Sequence, residues 1–165
     1  MSPEEKQLAR IMFKSKVLAA NGQAYEDLFS AVMGIDNKDF VQVKPQGRIG
    51  DRKNDGYDRR IGKYYQVFAP EDPTAKVQNA VKKLKEDFDG LYTNWNKVTP
   101  VTEFYFVFND KYKGSFPTIE ANLAVIKRSK KLAECSSFLA KHLEQAFLDL
   151  KDEHVFSILD ILDPN

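Results

Sequence analysis

Apolar residues first recur at helical spacing, with Leu8, Ile11, Met12 and Val17 following a polar start. Ser2-Pro3-Glu4-Glu5 reads as a helix start: Ser2 caps, Pro3 suits the first helical position and Glu5 completes a capping box. Asn21-Gly22 ends this helix. A second begins near Gln23 and closes at Gly34, with Tyr25, Leu28, Phe29, Val32 and Met33 on its apolar side. The period then shortens. FVQVK (40–44), DGYDR (55–59) and YYQVFA (64–69) are strand candidates, and Arg60-Ile61-Gly62 joins the last two as a hairpin. Pairing Arg59 with Tyr64 sets Asp55 across from Phe68 and Tyr57 across from Gln66, a register that any slip would change.

Asp72-Pro73 starts a third helix, on which Val77, Val81, Leu84, Phe88 and Leu91 repeat every three or four residues. VTEFYFVFN (101–109) is apolar on both faces, as a central strand of a covered sheet would be. After the loop KYKGSFP, helices are expected over 118–132, 136–150 and 154–162. The order predicts an α/β domain: a small mixed sheet flanked by helices, with extra C-terminal helices. No repeat or second domain is visible. One domain therefore spans 1–165, with its core at about 20–110 and a helical extension at about 117–165. Because LDILDPN could begin a linker, the chain is also expected to be the N-terminal part of a longer protein.

Composition narrows this picture only slightly. The 165 residues suffice for one full core, and 42% hydrophobic with 30% charged residues is a globular balance. A net charge of +1 gives no global case for a nucleic-acid partner, so any such case must rest on local patches. The lone Cys135 cannot form an internal disulfide, and in LAECSSFLAKHL it reads as a buried small hydrophobe. The charged N-terminus and the lack of a span-length apolar run lead to the expectation of a cytoplasmic protein without a membrane partner.

Several polar residues are candidates for chemistry. Glu26 lies on the second helix, Asp51 and Asp55 at or before the second strand, and Gln66 on the third strand among apolar neighbours. A hard divalent cation takes carboxylate and carbonyl oxygens. Phosphodiester cleavage uses such an ion to polarise the phosphate and activate water, with an ammonium group nearby to stabilise charge. Each residue also has a plainer reading. Asp55 can initiate a turn before Gly56, Glu26 can be a solvated helix carboxylate, and Gln66 can be a buried sheet amide.

Glu26, then GDRKNDG (50–56), then QVF (66–68), followed by a long helix and the strand EFYFVFN, resembles the PD-(D/E)XK nuclease superfamily, most closely Mrr-type restriction endonucleases. The resemblance covers roughly residues 20–110. It implies a restriction-endonuclease-like α-β-β-β-α-β core and a Mg2+- or Mn2+-dependent nuclease acting on DNA. Asp55, Glu26 and the main chain of Val67 would hold the ion, and Gln66 would orient the site. A narrower likeness links VKPQG, GDRKNDG and YYQVFAPED to N-terminal domains of some bacterial multi-component ATPase defence systems. That likeness implies anti-phage defence, with ATPase or other subunits as partners. Cutting both strands would suggest a homodimer.

The family lysine falls at Phe68, and an aromatic ring cannot donate to phosphate or water. Its role could pass to Lys53, two residues before Asp55, or to Lys44 on the neighbouring strand; Lys63, near the hairpin turn, looks too distant. Otherwise the fold is a degenerate nuclease that binds nucleic acid or assembles with subunits. Arg48, Arg52, Arg59 and Arg60 surround the site and are candidate nucleic-acid contacts. Lysines on the long helix, including Lys82, Lys83 and Lys85, read as a solvated face. The strand aromatics read as core, not as base-stacking platforms, and Trp95 as packing at the end of the long helix.

Overall fold

Phe104, Phe106 and Phe108 alternate with Tyr105 and Val107, so a strand carrying them must be covered on both faces. In the computed structural model, which describes residues 1–50, 52–75 and 77–160, that strand lies inside a five-stranded sheet between two helical layers. The elements are α1 (Pro3–Ala19), α2 (Gln23–Gly34), β1 (Phe40–Gln42), β2 (Gly56–Asp58), β3 (Lys63–Phe68), α3 (Val77–Trp95), β4 (Glu103–Phe108), α4 (Pro117–Lys130), β5 (Glu134–Phe138), α5 (Ala140–Leu148) and α6 (Asp152–Ile158). The strands lie in chain order. The β1–β2 and β2–β3 pairs are antiparallel, and β3–β4 and β4–β5 are parallel. The protein is thus mixed α/β, and α2 to β4 follow the order α-β-β-β-α-β.

The pleat divides the core in two. Tyr64, Phe104, Phe106 and Phe108 meet Leu84, Phe88 and Leu91 of α3 and Ile119 and Leu123 of α4. Tyr65, Val67 and Val107 point the other way, into Phe13 and Val17 of α1, Tyr25 and Phe29 of α2, and Leu143 and Phe147 of α5. Both crossover helices of the parallel strands lie on one face, as successive crossovers of one hand require. At the carboxyl end of β4, buried Asn109 donates from Nδ2 to the Val17 and Ala20 carbonyls, 3.0 Å each, and so closes α1. Its neighbour Asp110 accepts from the Ala140 N–H at 2.9 Å and starts α5. No helix among the described residues is long and apolar enough to cross a membrane.

The first two helices match their expected ranges, and Ser2 and Glu5 form the capping box. Four expectations are corrected. The segment expected to be helical over 136–150 begins instead as β5, which pairs with β4 at the sheet edge, so the C-terminal part is not wholly helical. Glu134, Ser136 and Ser137 gave it no alternating apolar signal, because an edge strand needs main-chain pairing more than buried side chains. The hairpin register is shifted by two residues: Tyr57 pairs with Tyr64 and Asp58 with Lys63, since the turn closes through Gly62 N–H to the Asp58 carbonyl at 3.0 Å. The third helix begins at Val77, and Asp72 instead holds a turn by accepting from the Thr74 N–H and hydroxyl at 2.9 and 2.7 Å. The last helix starts at Asp152 and ends at Ile158. The end expected for it, residue 162, lies outside the described residues, as does Asp51.

Candidate active site

The β2–β3 hairpin and α3 bring the polar candidates together. Asp55, 5% exposed, precedes β2; its N–H donates to the Tyr65 carbonyl at 3.1 Å and its Oδ2 accepts from the Val67 N–H at 2.7 Å. The carboxylate is therefore strapped to β3, beyond the role of a turn initiator. Gln66 is on the same strand, with its side chain towards α3. Its Nε2 donates to Asp87 Oδ2 at 3.1 Å, while its Oε1 is buried with no hydrogen-bond partner.

Asp87, 2% exposed, was not a sequence candidate. It sits on α3 between Leu84 and Phe88, and this break in an apolar stripe was the signal that could have revealed it. A carboxylate this buried requires cations. Lys83 supplies one from the preceding turn, Nζ to Oδ2 at 2.7 Å, and Lys53 supplies the other, Nζ to Oδ1 at 3.4 Å. Lys83 is thus not merely part of a solvated face. Lys53 reaches α3 because Arg52 and Lys53 both take positive φ, 54° and 68°, which costs an L-residue about 1–2 kcal/mol each. Gly90 leaves room for its stem: a Cβ there would lie 2.9 Å from Lys53 Cγ.

Glu26 is half-buried on α2. It shares a cleft of about 280 Å3 with Gly22, Val67, Phe68 and Lys83, at the carboxyl end of β3. Lys83 is therefore the ammonium group beside Phe68. The other candidates lie apart. Lys44 is exposed and lines a different cleft with Arg52, and Lys63 turns to the Tyr65 and Tyr105 rings at 5.9 and 4.9 Å. Arg59 and Arg60, at the hairpin tip, both face Asp39 at 3.8 Å, and Arg48 is exposed in the loop before β2.

Among the described residues, no group of three or more His, Cys, Asp and Glu stands ready for a metal ion. Magnesium needs less, since it commonly takes one or two carboxylates and keeps several waters. Asp55 and Glu26 both border Val67, and this oxygen chemistry fits such an ion. The unpartnered Gln66 Oε1 is a buried acceptor on the α3 side of β3, where Gln66 Nε2 meets Asp87. Phe68 itself is committed to packing, stacked on Phe106 and Phe108 at 5.9 and 5.8 Å. No protein-family model, curated protein or solved structure matches the chain.

Proposed function

We propose that this is a restriction-endonuclease-like domain that cleaves DNA with Mg2+ or Mn2+. The observation that carries the reading is the pair of ammonium groups, Lys83 and Lys53, that meet on Asp87 together with Gln66 Nε2, with Lys83 also lining the cleft that holds Phe68. The ion, when bound, supplies Lewis-acid polarisation of the phosphate and an activated water. Asp55, Glu26 and the Val67 carbonyl would hold it. Lys83, in the cleft with Glu26, stabilises charge on the phosphate, and Asp87 orients both lysines. Gln66 ties β3 to Asp87 of α3, and Asp55 is held on the same strand by the Val67 N–H. Arg48, Arg52, Arg59 and Arg60 bind the backbone, with Arg59 and Arg60 partly neutralised by Asp39. Action in anti-phage defence, ATPase or other subunits as partners, a homodimer and a cytoplasmic location rest on the motif likeness and the composition.

One observation favours the alternative of a degenerate nuclease fold that binds nucleic acid or assembles with subunits. Both ammonium groups already pair with Asp87, so the phosphate must compete for them. Plasmid cleavage with Mg2+ and with Mn2+ decides between the readings. The nuclease reading expects Asp55→Ala to abolish cutting and Lys83→Ala to slow it about 100- to 1000-fold, the usual loss for one charge-stabilising donor. A wild type that binds DNA and cuts with neither ion, and an Asp55→Ala variant that binds equally well, would establish the binding module.

A further inference from the structure

A second cleft lies beside the first. Residues of the 43–50 stretch and Arg52, with the end of α3, line about 340 Å3; Val43, Ile49, Trp95 and Val98 supply apolar surface, Asn94 is on the wall, and Lys44 and Arg52 are among the lining cations. None of the described residues lining it is acidic. Resting on the nucleic-acid reading above, we propose that this cleft seats one unstacked base of a single-stranded nucleic acid.

Three features argue for that occupant. Trp95 is braced by Tyr57 and Tyr64, with ring centroids at 5.2 and 6.2 Å, so its position is fixed before any ligand arrives. Ile49 and Val98 are 51% and 60% exposed, which leaves apolar surface for a flat ring to cover. A base has a π-face for Trp95 and carries its charge outside the ring, on phosphates that suit Lys44 and Arg52. Asn94 commits Nδ2 to the Gly90 carbonyl at 2.7 Å, leaving Oδ1 as an acceptor for a base N–H.

The cleft is also in line with the active site. Lys83, Asp87, Gly90 and Asn94 follow one another at helical spacing along one side of α3. Seven residues separate Asp87 from Asn94, a rise of about 10 Å. That is roughly three steps of a stacked strand. Arg52 lines the cleft while its neighbour Lys53 reaches Asp87, so one peptide bond joins the two places. The base seated at Trp95 therefore sets which phosphodiester reaches the Lys53 and Lys83 ammonium groups on Asp87.

Trp95 is the single tryptophan of the chain, so its fluorescence reports on this cleft alone. The test titrates the protein, in chelator, with a mixed-sequence single strand of about a dozen nucleotides and with the same strand made abasic. The expected result is quenching of Trp95 by the normal strand and binding roughly 5- to 150-fold tighter than the abasic one, the range base stacking supplies. Val98→Asp, on the exposed rim, should remove both effects with the thermal unfolding midpoint unchanged. Trp95→Ala serves as the second variant, read by the lost discrimination between strands. Equal affinity for the two strands, or binding without quenching, overturns the proposal and leaves only a phosphate track; no binding overturns it outright. Adding Mg2+ separates the two claims. Cutting without quenching removes the base seat and keeps the nuclease, whereas quenching without cutting keeps the seat and removes the nuclease.

Discussion

Asp87 shows how much one residue can organise. It is almost wholly buried, yet its two cations remain 52% and 37% exposed at Lys53 and Lys83, so they can regain water if the carboxylate is lost. Gln66 Nε2 cannot. Asp87→Ala should therefore cost about 2–3 kcal/mol, below the loss for a fully buried pair, mostly from the stranded amide and the cavity. Urea denaturation measures this, and an unchanged midpoint would show that the cluster contributes nothing to stability. Asp55 and Gln66 were legible because polar residues stood in strand-like runs. Asp87 was masked by the helix periodicity that surrounds it, and Lys83 by its resemblance to ordinary surface lysines.

At the scale of elements, α3 joins the two clefts, and Gly90 is its weak point as a helix. Replacing it by alanine should gain about 0.8–1 kcal/mol of helix propensity. In the wild type the new Cβ would crowd Lys53 Cγ at 2.9 Å, so the gain should be smaller. In a Lys53→Ala background the full gain should return. Denaturation of the two single variants and the double variant forms a cycle that reads this coupling. Strict additivity would mean that Lys53 does not cross α3. The elements themselves show where periodicity is informative. α1, α2 and α3 were readable as helices, but on α1 the expected Leu8 and Ile11 are exposed and Ala9, Phe13 and Val17 form the buried face. β5 has Cys135 as its one fully buried apolar side chain and is a strand because β4 offers it main-chain partners. The hairpin was readable, but its register depended on how the turn closed at Gly62.

The whole molecule carries a pH dependence from its aromatic core. Burial pushes the phenol of Tyr64 and the thiol of Cys135 up to about 12 and raises those of Tyr25, Tyr65, Tyr105 and Tyr112 as well. Unfolded, such groups ionise near pH 10 for tyrosine and about 8.5 for cysteine. Above those values the unfolded chain has released protons that the folded chain keeps, so stability falls as pH rises. Stability should be full below about pH 8.5 and fall progressively towards pH 12. Urea midpoints across this range, with tyrosinate absorbance appearing at the unfolding step, check it. A flat midpoint up to about pH 11 would contradict it.

The sequence alone determined the α/β class, the first three helices, the hairpin, the central strand and the presence of Asp55, Gln66 and Lys53 as polar residues worth following. These are properties of near neighbours, written in spacings of two or of three to four residues. Only the tertiary structure decided that β5 completes the sheet, that Lys83 is the ammonium group beside Phe68, and that Asp87 gathers Lys53, Lys83 and Gln66. Those meetings depend on strand register and on which face each crossover helix covers. Main-chain pairing and burial between distant segments set both, and no local pattern records them.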